Sequence, residues 1–125
     1  VSASALARRA EAALREPAGA RIFAGSCASC HEGAARHMDG NRPDLALNSN
    51  VQDARPDNVI HAILNGAGYA GERGRGEMPG FRGVLDDEQI ASLLRYLRVV
   101  NAPGRPAWDG LTERIGTLRA EHGGR

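Results

Sequence analysis

Cys27-Ala28-Ser29-Cys30-His31 is the densest concentration of reactive side chains in this 125-residue chain. Two thiols separated by two residues can each add to one vinyl group of a single porphyrin, and the next residue offers an imidazole to the iron. The pattern is the attachment signature of a c-type haem. Thioether bonds hold such a cofactor covalently, so a short chain need not enclose it completely. Other chemistries explain the same residues less well. A structural zinc site wants about four ligands. Beyond Cys27 and Cys30 there is no further cysteine, and His37, His61 and His122 show no paired spacing. A thioredoxin-like redox pair would want a βαβ pattern around it, which the flanking sequence lacks. A merely buried or disulfide-bonded pair would leave the adjacent His31 to coincidence.

Haem iron has two axial positions, and His31 fills only one. For the other the chain offers His37, Met38, His61 and Met78. His37 and Met38 lie six and seven residues past His31, too near to reach readily around to the opposite porphyrin face. His61 falls in a helical pattern beside Ile60 and Ile63, where a partly exposed histidine is the commoner reading. Met78 lies 47 residues past His31 in a glycine-rich stretch, and Pro79 restricts the backbone that presents it. A lone methionine is usually core filler, but once a haem is in place Met78 is the best-placed second ligand.

The elements that position these residues read as helices. No apolar alternation is sustained long enough for a strand, whereas helical periodicity recurs. Residues 4–16 are alanine-rich with Leu6, Ala10, Ala13 and Leu14 on one side, and Pro17 closes that segment and opens the next, which runs to about Gly25. A third helix is expected from Pro56 to Asn65, with Val59, Ile60, Ile63 and Leu64 apolar and Gly66 placed to end it. The clearest is 87–100, where Asp86 and Gln89 have capping-box spacing and Ile90, Leu93, Leu94 and Leu97 form the stripe. A last amphipathic segment, 107–121, aligns Trp108, Leu111, Ile115 and Leu118. Glycines at 66, 68, 71, 74, 76 and 80 mark a long loop between the third and fourth helices.

Composition bounds the alternatives. All sixteen basic residues are arginine, and against fifteen acidic ones they leave a formal charge of +1. The signs are evenly mixed along the chain, which argues against a nucleic-acid footprint or a polybasic membrane anchor. No run approaches ~18 apolar residues, so no segment spans a bilayer as a helix. With 16 glycines and only five aromatic residues, the chain is thin in core material for its size, as expected of a domain that a cofactor helps to stabilise. The start at Val1, without Met or an apolar signal core, reads as a processed mature protein or an excised domain.

Over about residues 17–100 the chain resembles the class I c-type cytochromes. Gly19 and Phe23 stand eight and four residues before Cys27, the family spacing for an N-terminal helix that crosses the C-terminal one, and Leu93-x-x-Tyr96-Leu97 resembles the other side of that crossing. Pro43, followed by Asp44-Leu45, matches the family's proline, whose carbonyl accepts the Nδ1–H of the proximal histidine. Met78-Pro79-Gly80-Phe81 resembles the distal-ligand segment. The lysines of the family's docking ring are absent, so that mode of recognition does not carry over. A narrower likeness covers Pro43, Asn58-Val59-Ile60, Met78 and Ala102-Pro103-Gly104-Arg105-Pro106-Ala107-Trp108. It resembles the last haem domain of multi-haem cytochrome subunits that serve periplasmic dehydrogenases, although only one attachment motif is present here.

The resemblance implies an all-α cytochrome c fold, with about three to five helices and long loops around one covalent haem c. Residues 1–16 would be a helical extension, 17–100 the haem domain and 101–125 a helical tail. Cys27, Cys30, His31, Pro43, Leu45 and Met78 would hold the cofactor, with His31 and Met78 on the metal. A His/Met iron has no open position and suits one-electron transfer, so the chain would be a carrier or relay with no catalytic residues. A periplasmic dehydrogenase would be the donor, and an oxidase or another cytochrome the acceptor. The rival class is a haem peroxidase or a gas or redox sensor with a displaceable Met78.

A ferric haem with two ionised propionates carries one negative charge, so the oxidised holoprotein is near neutral and long-range steering weak. Arg73, Arg75 and Arg82 flank the Met78 segment and read as solvated loop arginines, with contact to an acidic partner as the alternative. Arg36 and Arg42 are candidates for a propionate. The terminal helices read as covers on the outside of the haem core, with partner docking as the alternative.

Overall fold

Asp86 and Gln89 form the reciprocal box that their spacing predicts. The Gln89 N–H donates to Asp86 Oδ1 at 2.8 Å, and the Asp86 N–H donates to Gln89 Oε1 at 2.9 Å. Asp87 and Glu88 then place negative charge at the positive end of the helix. The helix that follows, Asp87–Asn101, is the fifth of six in the computed structural model, which describes residues 3–27, 49–66 and 80–121. In chain order they are α1 (Ala3–Arg15), α2 (Pro17–Ser26), α3 (Ser49–Gln52), α4 (Asp57–Asn65), α5 (Asp87–Asn101) and α6 (Leu111–Glu121). There is no strand among the described residues, and the fold is all-α as expected.

α5 is the hub: α1, α2, α3 and α6 all pack on it, and α6 also reaches α4. Ile90, Leu93, Leu94 and Leu97 are buried, as their stripe predicts, together with Ala91, Tyr96 and Val100. α4 buries Val59, Ile60, Ile63 and Leu64 and ends at Gly66, whose φ of 80° a side chain would oppose. The tightest packing is α2 across α5. A Cβ on Gly19 would lie 2.1 Å from the Ser92 carbonyl oxygen and 2.7 Å from Tyr96 Cβ, so only glycine allows this approach. One turn on, the Phe23 and Tyr96 rings sit 5.6 Å apart, tilted at 44°.

Two expected faces differ in the structure. Among the described side chains of α1 the buried one is Ala12, while Leu6 and Leu14 are 54% and 85% exposed. The helix is turned so that Arg8, Ala12 and Glu16, each four residues apart, face the bundle. Arg8 Nε donates to the Val100 carbonyl at 3.3 Å, and Glu16 lies 3.4 Å from Arg95 Nε. A small residue at the contact lets the helix axes approach closely, which leucine would prevent. In the last segment the stripe is right but Trp108 is not helical: Gly110, at φ 62°, precedes the helix, which starts at Leu111. Trp108, Leu111, Ile115 and Leu118 are all buried in the common core, so this segment covers the helical bundle.

Arginines fasten α6 to that core. Arg114 forks onto Asp57 of α4 with contacts of 2.9 and 2.6 Å, and this guanidinium holds the Asp57 carboxyl below its usual range. Arg119 bonds Asp87 Oδ1 at 2.7 Å and the carbonyls of Arg82 and Leu85 at 2.7 and 2.8 Å. Arg82 reciprocates through Nη1 to the Arg119 carbonyl, and its Nη2 donates to Asn65 Oδ1, both at 2.9 Å. Arg82 is therefore held by the fold and is not a freely solvated loop arginine. It clasps α6 to α4.

Candidate haem site

Cys27 caps the C-terminus of α2, where its N–H closes the last turn onto the Phe23 carbonyl at 2.9 Å. The residue is buried, 8% exposed, in the same apolar cluster as Phe23, Leu94 and Leu97. Its position follows from the crossing of α2 on α5. Gly19 sets the closeness of that contact, the Phe23–Tyr96 pair sets the rotation of α2, and Cys27 follows one turn later. The Gly19, Phe23 and Tyr96 roles expected from the sequence are thus borne out.

On the far side of the long glycine-rich stretch, the chain returns at Gly80. A Cβ there would come within 2.9 Å of the Leu64 oxygen and the Asn65 carbonyl carbon, so the backbone lies directly on the end of α4. The Phe81 N–H donates to the Ile63 carbonyl at 2.7 Å, and the Arg82 N–H to that of Leu64 at 3.2 Å. These acceptors are carbonyls of the last helical turn, which lack partners within their own helix. Gly80–Arg82 therefore lies against the residues just before Gly66. Phe81 packs against the core cluster.

Cys30, His31, Pro43, Leu45 and Met78 lie outside the described residues, as do His37, Met38, Arg36, Arg42, Arg73 and Arg75. Of the alternative ligands only His61 is described, part-exposed on α4 between the buried Ile60 and Ile63. No group of three or more His, Cys, Asp or Glu side chains able to hold a metal occurs among the described residues.

Sequence reasoning missed Arg98. It is 3% exposed, and it donates from Nη1 to the Val51 and Asp53 carbonyls at 2.7 and 2.8 Å and from Nε to the Pro106 carbonyl at 2.9 Å. It thereby ties α3 and the segment after α5 to α5. A signal was present: position 98 continues the Ile90–Leu94 series at four-residue spacing, so an arginine there lies on the buried face.

An all-α domain with a Cys-x-x-Cys-His run opening at the end of its second helix defines a class of haem protein, and comparison with known proteins agrees. Residues 15–97 match the family described as cytochrome c oxidase, cbb3-type, subunit III, and the chain belongs to this cytochrome c family. It is 41% identical over 106 residues to one subunit of the nicotinate dehydrogenase of Pseudomonas putida, covering 84% of this chain and 9% of that protein. It is 34% identical over 79 residues to cytochrome c6 of Pyropia tenera, covering 63% of this chain and 85% of that one. The gluconate 2-dehydrogenase cytochrome c subunit of Pantoea cypripedii is 29% identical over 84 residues, 64% of this chain and 19% of that subunit. The chain thus spans under a tenth of the length of the first relative and most of the length of the second.

The cofactor of this domain is one haem c. The residues present fit it. The donor set is two thiols and an imidazole in attachment spacing, and the first thiol sits in an apolar cluster able to pack a porphyrin face. A c-type cytochrome domain is an electron-transfer component. No described helix is long and apolar enough to cross a membrane.

Proposed function

We propose that this chain transfers single electrons, with Cys27 and Cys30 in thioether linkage to the haem and His31 and Met78 as axial ligands. On this reading Pro43 accepts the Nδ1–H of His31, which orients the imidazole and raises its basicity. Leu45, two residues on, packs against the cofactor. Met78 supplies a soft thioether that favours ferrous iron and raises the potential relative to two nitrogen ligands. The bound group supplies the redox chemistry. The chain supplies ligation unchanged between the two states, so little reorganises on transfer, and no side chain moves a proton or touches a substrate. Residues 17–100 form the haem domain in this scheme, with 1–16 and 101–125 laid on its outside.

One observation carries the reading. The attachment motif begins at a buried cysteine whose helix is clamped by a glycine contact onto α5, so the first thioether would sit against the apolar cluster. The hydrogen bonds of Phe81 and Arg82 to the end of α4 support Met78 by fixing the chain three residues after it. The similarity to subunits of nicotinate and gluconate dehydrogenases favours a dehydrogenase as donor. An oxidase or another cytochrome would accept the electron, and the setting would be a bacterial periplasm.

The test is covalent retention. Thioether bonds survive denaturation and acid–acetone extraction, so the colour should stay with the polypeptide. Replacing both Cys27 and Cys30 by alanine should release it. Extraction of the haem from the unmutated protein would end the proposal.

A further inference from the structure

α1, the second half of α5 and the connection to α6 surround a cleft of about 190 Å³. Its wall carries five arginines, Arg8, Arg15, Arg95, Arg98 and Arg105. Among the described residues only Glu11 and Glu16 oppose them, which leaves an excess of three positive charges on the described wall of one cleft in a chain whose whole net charge is +1. Folding has gathered here a charge that the sequence disperses.

The commitments of these arginines are unequal. Arg95 is the one paired with Glu16. Arg8 and Arg98 donate to backbone carbonyls, which are neutral acceptors. Arg15 and Arg105 are exposed, and no carboxylate or carbonyl among the described residues accepts from either guanidinium. Burial lowers the pKa of Arg98 and the nearby charge of Arg105 lowers it further, against a smaller opposing effect of Asp53. A positive charge held mainly by neutral dipoles beside other cations is stabilised when an anion approaches.

Size narrows the anion. Sites for drug-sized ligands run to about 300–1,000 Å³, and this cleft is smaller. It admits a carboxylate on a short aliphatic stem, with the indole of Trp108 and the side chains of Pro103 and Ala107 as apolar wall. A single inorganic anion would offset only part of the excess charge and would leave the exposed arginines unmatched.

We propose that this cleft docks an acidic segment of a partner polypeptide, one Glu or Asp carboxylate entering it while neighbouring acidic side chains meet Arg15 and Arg105 at the rim. The site is independent of the electron-transfer reading, because it is built from α1, α5 and the 102–111 connection and uses none of the proposed haem ligands.

The test uses the reduced holoprotein at low ionic strength with hexaglutamate as probe, followed by calorimetry and by the indole N–H resonance of Trp108, the sole tryptophan. Hexaglutamate should bind saturably, shift that resonance and weaken as salt is added. Arg15→Gln and Arg105→Gln should each weaken binding about two- to fivefold. Both should keep the wild-type melting temperature, since neither guanidinium bonds the described protein. No binding, or binding indifferent to both substitutions, would overturn the proposal. Saturable binding of inorganic phosphate that displaces the peptide would overturn it too, and would make the cleft a site for free anions.

Discussion

Arg98 and Trp108 share one acceptor. Arg98 Nη1 and Trp108 Nε1 both donate to the Asp53 carbonyl oxygen, at 2.8 and 2.9 Å, and the guanidinium carbon lies 4.3 Å from the centroid of the indole ring. A charged donor, a π face and a helix-terminal carbonyl thus form one unit joining α3, α5 and the segment before α6. Together with Gln52 Nε2, which donates to the Asn101 carbonyl at 2.6 Å, this unit ties α3 and the residues after it to α5.

Arg98→Met keeps most of the buried volume but leaves the Val51, Asp53 and Pro106 carbonyls without their charged donor. The expected loss is about 2–4 kcal/mol in urea denaturation of the holoprotein. Trp108→Phe keeps an aromatic face and drops one hydrogen bond, for a loss of about 1 kcal/mol. Equal effects from the two would mean that the ring, and not the guanidinium, organises the junction.

Two glycines of α2 should respond in opposite directions. Gly19→Ala drives a methyl into the Ser92 carbonyl and the Tyr96 side chain, so α2 must lift from α5, at a cost of about 1–3 kcal/mol or more. At Gly25 an added methyl meets nothing within 4 Å, and Gly25→Ala should stabilise the helix by about 0.5–1 kcal/mol. Melting temperatures of the pair check both signs.

Asp57 should contribute to acid sensitivity. Its carboxyl is held below its ordinary pKa chiefly by the hydrogen bonds from Arg114. A depressed carboxylate stabilises the fold above its unfolded pKa, and that contribution disappears as pH falls through the folded value. The stability advantage of the unmutated protein over Asp57→Asn should therefore be full at neutral pH and shrink below pH ~4. A gap that stays constant into acid would show that the Arg114 fork is not the cause.

The distal ligand has a discriminating pair of variants. Met78→Ala should open the iron to added cyanide or imidazole, lower the reduction potential and leave the helices formed, because the attachment motif still holds the haem. His61→Ala should change neither spectrum nor potential. The reverse pattern would transfer the role to His61.

Much of the architecture was legible because it rests on local rules. The Asp86–Gln89 box, the stripe of α5, the stop at Gly66 and the burial of Ile115 and Leu118 all follow from spacing and backbone chemistry. Gly19, Phe23 and Tyr96 were legible through the resemblance to class I c-type cytochromes, which implies the crossing of their helices. The face of α1 was not. An alanine-rich helix offers several weak stripes, and the choice went to the one that let Ala12 meet its neighbours closely, leaving Leu6 and Leu14 in solvent.

The sequence by itself determined the donor pattern of this protein: two thiols and an imidazole stand in haem-attachment spacing within five residues, whatever surrounds them. Its helical class followed in the same way from period and caps. Only the tertiary structure decided where the arginines act. Evenly mixed charge along the chain gave no sign of which carbonyls Arg98 would reach from the buried face, that Arg82 and Arg119 would clasp each other's backbone, or that five arginines would line one cleft. Guanidinium groups are long and multidentate, and the Val51, Asp53, Arg82, Leu85 and Arg119 carbonyls they reach lie 34 to 47 residues away. Such contacts exist only once helices distant in sequence have been packed side by side.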